Sequence, residues 1–297
     1  MRLHPAVARA LATGQAVVAL ESTVITHGLP RPQNLALARA LERAVREAGA
    51  VPATIGLLGG EVVVGLSDGE LAYLAEAPAA KATLWNLADL TVRGADAGTT
   101  VAATLHLAAR AGILVFATGG IGGVHGAYDE SADLAALARY PLVVVSAGAK
   151  SILDQAATLE RLESLGVSVI GYRSDRFAGF HVPQTALPVP ARCDTPEEVA
   201  ERFRAARALG LPGALLVAKP VSEGLTAEEV DGWLGRAQRE AAAAGLRGKD
   251  VTPFLLRRFD ELSEGRATDV NVRLLEENAR LGAQVALALQ RAPASTP

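Results

Sequence analysis

Short apolar, β-branched runs alternate with amphipathic stretches along nearly the whole chain. Residues 16–20, 54–58, 61–64, 113–117, 142–146, 167–171 and 214–218 carry the first pattern and predict strands. Residues 34–48, 101–111 and 154–165 place apolar side chains at three- and four-residue spacing and predict helices packed by one face. Helix starts are marked as well. Ser67-Asp68-Gly69-Glu70 and Thr226-Ala227-Glu228-Glu229 fit a capping box, and Asp194-Thr195-Pro196-Glu197 puts proline in a first turn. This alternation predicts an α/β fold, a mostly parallel sheet covered by helices. The segment 177–191, with Pro183, Pro188 and Pro190, reads as a long loop near a site or an interface, or as a mere excursion. The tail 291–297 is expected to fray.

Composition narrows the function classes. Half of the 297 residues are hydrophobic but only 4% are aromatic, so the core is built from Ala, Val and Leu. A net charge of −3 without a basic block argues against nucleic acid as a partner. One cysteine, Cys193, excludes an internal disulfide and a cysteine-rich zinc site, and suits a small buried apolar position. None of the five histidines pairs at i, i+4 as a zinc protease requires. No apolar run reaches about 18 residues and no signal-peptide pattern opens the chain, so a cytoplasmic protein without a membrane span is expected.

Candidate chemistry gathers where strands end. Lys150 follows the run Val143-Val144-Val145-Ser146 and the turn Ala147-Gly148-Ala149, and a helix is expected to open right after it. Ligands of open α/β sheets bind at that edge. The partial positive charge of a helix start disfavours a cation, leaving a nucleophilic amine; the alternative is a solvated surface lysine. Glu21 follows Val17-Val18-Ala19-Leu20 and is either solvated at the sheet edge or a partly buried general acid. Gly98-Thr99-Thr100-Val101 enters a helix and suits an anion, or is a plain N-cap. The loop Thr118-Gly119-Gly120-Ile121-Gly122-Gly123 lets backbone approach a ligand, or is a tight turn; it is neither a dinucleotide fingerprint nor a P-loop. Asp129, Glu130 and Asp133 lie within five residues, with Asp129 and Asp133 on one face if the stretch is helical. They suit a hydrated hard cation or, by spacing alone, a solvated helix start.

Together these segments are specific. Ala19-Leu20-Glu21-Ser22-Thr23-Val24-Ile25-Thr26-His27-Gly28-Leu29-Pro30 is similar to the opening signature of the pseudouridine-5′-phosphate glycosidase family. So are Phe116 to His125, Asp129 to Asp133 and Ala147 to Asp154, with Gly248-Lys249, Thr252 to Leu256 and Asn271-Val272 further on. The resemblance runs in order from about Ala16 to about Leu287. It implies an α/β/α sandwich spanning the chain as one domain, assembled as a homotrimer. It implies reversible cleavage of the C–C glycosidic bond of pseudouridine 5′-phosphate to uracil and ribose 5-phosphate. Lys150 matches the nucleophile that forms an imine with ring-opened ribose, and Glu21 the proton donor. Asp129 matches the ligand of one Mn²⁺ per subunit. Lys81, Thr99, Thr100, Val101, Thr118, His125, Ser131, Ala132, Asp133 and Asn271 match substrate-binding positions.

The chain also departs from that pattern. The family follows the matching lysine with an arginine-containing stretch, but Lys81 is followed by Ala82-Thr83-Leu84-Trp85-Asn86-Leu87. Gly126 stands after His125 where the family has arginine, and the loop to Asp129 is shorter. Val217-Ala218-Lys219-Pro220 replaces Val-Ala-Asn-Pro, making Lys219 a candidate replacement for the missing phosphate-site cations. The alternatives are a C-glycosidase of the same scaffold acting on a different or phosphate-free C-nucleoside, and a non-catalytic sugar-phosphate or nucleotide binding protein.

Overall fold

The computed structural model describes residues 1–126, 129–246 and 251–291. The motif positions Gly248 and Lys249, the stretch between Gly126 and Asp129, and the tail beyond Arg291 lie outside these residues. The strands are β1 (Arg2–Leu3), β2 (Val17–Leu20), β3 (Val51–Leu58), β4 (Glu61–Val64), β5 (Ala80–Ala82), β6 (Ala97–Thr99), β7 (Val115–Ala117), β8 (Val124–Gly126), β9 (Asp129–Glu130), β10 (Val143–Ser146), β11 (Ser168–Tyr172), β12 (Arg192–Cys193) and β13 (Leu215–Ala218). The first six helices are α1 (Pro5–Ala12), α2 (Thr23–Thr26), α3 (Gln33–Glu47), α4 (Asp68–Glu76), α5 (Leu87–Val92) and α6 (Val101–Ala111). They are followed by α7 (Ala132–Arg139), α8 (Gln155–Ser164), α9 (Pro196–Ala208), α10 (Ala227–Ala243), α11 (Val251–Leu262) and α12 (Arg266–Gln290).

The main sheet runs in the order β1-β4-β3-β2-β7-β10-β13-β11-β12, with β5 and β6 joining through β3. Its pairings are parallel except β3–β4 and β3–β6. Strands β2, β10 and β13 are buried at every residue because helices cover both faces, which is why they read as unbroken apolar runs. On one face α3, α9, α10 and α12 pack over Val18, Val145 and Val217. On the other α1, α6, α7 and α8 pack over Ala19, Phe116, Val144 and Leu216. The α/β/α layering expected above is the architecture found. Both capping boxes form, at Ser67 and at Thr226, and Thr195 caps α9 ahead of Pro196.

One strand boundary differs from the pattern for a reason of pairing, and one helix cap places Lys150. Strand β3 begins at Val51, ahead of Thr54, and contains Pro52. The Val51 N–H donates to the Ala16 carbonyl on the β2 side, so Pro52 turns its missing N–H to the other side, where β4 pairs only from Ile55 onward. Helix α8 begins at Gln155 with Asp154 as N-cap, accepting from the Ala157 N–H at 2.9 Å. Lys150 therefore sits on the β10–α8 turn and not in a first helical turn, and the helix-start argument for its amine lapses. The guanidinium of Arg291, the last described residue, pairs with Glu197 at 2.8 Å. Cys193 is fully buried, and desolvation pushes its thiol up to about 11, as suits a small core residue.

Candidate active site at the carboxyl edge of the sheet

Strand register builds the site. Leu20, Ala117, Val145, Val217 and Ile170 lie side by side across β2, β7, β10, β13 and β11. The next residues form one row at the carboxyl edge, Glu21 beside Thr118 beside Ser146. The Thr118 hydroxyl donates to Glu21 Oε1 and the Thr23 hydroxyl to Oε2, so the half-buried carboxylate is held by two hydroxyls from two elements. Ser22 fixes the segment: its hydroxyl donates to the Ile55 carbonyl at 2.5 Å and accepts from the Thr99 N–H at 2.9 Å. Thr99, with no exposed surface, donates to the same carbonyl at 2.7 Å. Its side chain fastens β6 to β3. Thr100 caps α6 through the Ala103 N–H at 3.3 Å, and Val101 opens that helix, buried.

The glycine loop turns out to pack against protein at each of its four glycines. A Cβ on Gly120 would lie 2.5 Å from the Phe180 ring, on Gly122 2.2 Å from Ser131 Oγ, on Gly123 2.3 Å from Thr158 Oγ1, and on Gly119 3.1 Å from Leu275. The glycines let the chain's own layers close around the loop. Lys150 is tied to this loop, its N–H donating to the Ile121 carbonyl at 3.1 Å. Gly148, at φ +85°, lets the turn pass the Ala178 carbonyl, where a Cβ would lie 2.0 Å away. The segment 177–191 forms the outer wall of this turn. The Phe180 N–H donates to the Ala147 carbonyl at 2.8 Å, and Ser151 Oγ lies 3.0 Å from His181 Nδ1. Burial holds His181 down to about 4, against an opposing contact with the Ala267 carbonyl.

The acidic cluster divides three ways. Asp129 and Glu130 form β9, paired with β8, and Ser131 caps α7. Asp129 and Asp133 thus do not share a helix face. Glu130 pairs with Arg161 at 2.9 Å. Asp133 is buried, and its carboxylate accepts from the Ala102 N–H at 2.9 Å and the Gly122 N–H at 2.8 Å, joining α6 to the glycine loop. Asp129 and His125 are exposed on the β8–β9 ribbon, and Ala132 is exposed at the first turn of α7. No three His, Cys, Asp or Glu side chains converge among the described residues. The donor set suits a hydrated divalent ion held at one carboxylate and does not suit a caged one.

Lys81 is exposed on β5, paired with Gly98, and desolvation followed by the Lys81 charge lowers the His27 imidazole below its ordinary value. The unusual stretch after Lys81 is a closed turn. Asn86 Oδ1 accepts from the Thr83 N–H at 2.8 Å and Nδ2 donates to the Lys81 carbonyl at 3.1 Å, leaving Trp85 89% exposed at the tip. Lys219 does not supply a missing phosphate-site cation. Its ammonium donates to Glu277 at 2.5 Å and to the Pro220 carbonyl at 3.0 Å, on the α12 side of the sheet. Burial pushes the Glu277 carboxyl up, but hydrogen bonds from Lys219 and Ser222 outweigh it and hold it low. Helix α12 overhangs the edge. Gly282 packs on Ala117, and Asn278 donates to the Thr118 carbonyl at 2.8 Å. Half-buried Asn271 lies seven residues earlier on the same face of α12, about 10 Å away along the helix.

Motif reading did not single out Thr23, His181 or Asn278 for the site. Asn278 has a legible signal, a lone amide on the apolar stripe Leu274, Leu275, Leu281, Val285. Another signal is composition: of 29 Lys and Arg residues only Lys81, Lys150, Lys219 and Lys249 are lysines, the other 25 being arginines. The three lysines among the described residues all lie at or beside strand ends on this edge.

Known proteins match the chain along nearly its whole length. The family model described as indigoidine synthase A like protein matches residues 6–288. A pseudouridine-5′-phosphate glycosidase of Thermus thermophilus is 62% identical over 273 residues, 92% of this chain and 97% of that protein. One of Symbiobacterium thermophilum is 50% identical over 96% of each. The prealnumycin C-glycosynthase AlnA, solved with ribulose 5-phosphate, superposes with a TM-score of 0.91 at 37% identity, covering 97% of this chain and 96% of that one. An indigoidine synthase A-like protein of Thermotoga maritima superposes with a TM-score of 0.87 at 38% identity, covering 94% of each. With the family model and relatives so named both matching it nearly end to end, the chain belongs to the indigoidine synthase A-like family, alongside the pseudouridine-5′-phosphate glycosidases.

Proposed function

We propose that this protein is a pseudouridine-5′-phosphate glycosidase that converts pseudouridine 5′-phosphate and water reversibly to uracil and ribose 5-phosphate. One observation carries the reading. A carboxylate held only by hydroxyls, Glu21, and the turn bearing Lys150, which has no ion-pair partner among the described residues, follow strands separated by the single strand β7. Two strand spacings are about 10 Å, a gap that a pentose and an extended lysine together fill.

A C-glycoside has no heteroatom leaving group, so protonation alone does not cleave it. The Lys150 amine attacks the anomeric carbon while Glu21 protonates the ring oxygen, breaking the C–O bond and opening the ribose. The new ammonium returns a proton to Glu21; the nitrogen lone pair then forms the imine as the C–C bond breaks, the electron pair of that bond leaves on the uracil carbon, and the carbon takes the proton back from Glu21. Water hydrolyses the imine, releasing ribose 5-phosphate and restoring the amine. Lys81, beside His27, is the cation for the phosphate, and Asn271 and His125 border the substrate. Thr99, Thr100, Val101 and Asp133 act by shaping the walls. Asp129 is the residue that would hold Mn²⁺, and the bound ion would supply polarisation of the substrate's oxygens. The enzyme works in the cytoplasm as a homotrimer, to be checked by light scattering.

The test is uracil release from pseudouridine 5′-phosphate, followed by chromatography with Mn²⁺ and with chelator. Metal-dependent release in the native enzyme and none in Lys150→Ala is expected; full turnover by a folded Lys150→Ala rules the mechanism out. The Trp85-tipped turn, which has no arginine, favours one second reading, a C-nucleoside lacking the phosphate. Equal kcat/KM with and without the 5′-phosphate is its expected signature.

A further inference from the structure

We propose that Asn278 is the positioning residue for proton transfer by Glu21, acting through Thr118; the inference rests on the proton-donor role given to Glu21 above. Asn278 lies in the middle of α12, 1% exposed. Its Nδ2 donates to the Thr118 carbonyl at 2.8 Å and to the Gly119 carbonyl at 3.3 Å. The Thr118 N–H donates to the Val145 carbonyl at 3.0 Å, so the backbone of Thr118 is gripped on both sides where β7 ends. What remains to Thr118 is its side-chain rotamer, and its hydroxyl donates to Glu21 Oε1. The Gly119 carbonyl also accepts from the Ala147 N–H at 2.8 Å, which couples the grip to the turn carrying Lys150.

The other half of the amide supplies an independent observation. Asn278 Oδ1 is buried without a hydrogen-bond partner. A buried acceptor left unpaired is a cost that an apolar side chain at this place, among Leu274, Leu275 and Leu281, would not incur. Packing therefore gives no reason for an amide here. The Nδ2 contact with the end of β7 does, because a hydroxyl can aim at a carboxylate only if the backbone beneath it is fixed.

The test is a double-mutant cycle on uracil release with Asn278→Leu and Thr118→Val. Leucine nearly matches asparagine in shape and removes the unpaired acceptor, so the melting midpoint is expected to stay within a few degrees of the native value. Each single substitution is expected to lower kcat about tenfold or more with KM changed less than about twofold, and the double variant to be no slower than the slower single. Multiplied losses in the double variant, or native kcat in Asn278→Leu, overturn the proposal. If Asn278→Leu does not fold, Asn278→Ser takes its place in the cycle, and multiplied losses or a native kcat overturn the proposal there too. Glu21→Gln is assayed alongside: if it turns over normally the Glu21 reading itself fails, whereas inactive Glu21→Gln with fully active Asn278→Leu removes the positioning role alone.

Discussion

Replacing Asp133 separates a wall-building carboxylate from a substrate-binding one. The residue is 7% exposed, and its carboxylate accepts two backbone N–H groups, Ala102 at 2.9 Å and Gly122 at 2.8 Å. A hydrogen bond to a charged acceptor contributes about 1.5–3 kcal/mol, and each buried N–H left unpaired carries a cost of similar size. Asp133→Ala forfeits both bonds while water entering the vacated space recovers part of the loss. The expected destabilisation is about 3–5 kcal/mol, a large share of the roughly 5–15 kcal/mol typical of a folded domain. Asp133→Asn keeps the shape and one acceptor but points an NH₂ at the second amide, so about half of that loss is expected. Urea unfolding at pH 7 measures both, with the slope checked for change. Because Gly122 belongs to the loop bearing Thr118, kcat should fall with stability. A loss below about 1 kcal/mol together with a raised KM would refute the reasoning and return Asp133 to direct substrate contact.

Other outcomes follow from the same geometry. His181, buried and held down to about 4 against an ordinary 6.5, stays neutral in the fold while the unfolded chain takes up its proton between those values. Stability from this group is complete above about pH 6.5 and is lost as pH falls toward 4, by about 3 kcal/mol; His181→Phe should flatten the pH dependence of urea unfolding over that window. Lys81→Ala should raise KM for the phosphorylated substrate by about tenfold or more and leave a phosphate-free analogue unaffected, as read by steady-state kinetics. Breaking the half-buried Lys219–Glu277 pair from one side, as Lys219→Met, should cost more stability in chemical unfolding than the double change Lys219→Met with Glu277→Leu, since the single variant leaves the Glu277 carboxylate without its cation, held by Ser222 alone.

Much of the fold was readable because its determinants are local. Val143 to Ser146 is apolar at each position but the last, and Thr226 stands three residues before Glu229; such patterns bias the backbone wherever they occur. The family signature around Glu21, Thr118 and Lys150 was equally legible. Contact partners were not. A helix was expected to open right after Lys150, but Asp154, whose side chain caps the Ala157 N–H, decides where α8 opens. Asp129 and Asp133 looked like one face because spacing assumes a single helix, whereas β9 ends between them.

The sequence by itself determined the alternation of strands and helices, the caps and the residue types available for chemistry, since propensity and periodicity act within a few residues. The tertiary structure decided which of them meet. Thr118 reaches Glu21 across 97 residues because parallel register aligns the ends of β2 and β7. Asn278 reaches Thr118 across 160 residues because α12 lies over that edge. Lys219 is drawn to Glu277, and the glycine loop is filled by Phe180, Ser131, Thr158 and Leu275, because packed layers bring distant side chains into one volume. Such contacts depend on register, helix placement and close packing of the whole chain, which no local pattern encodes.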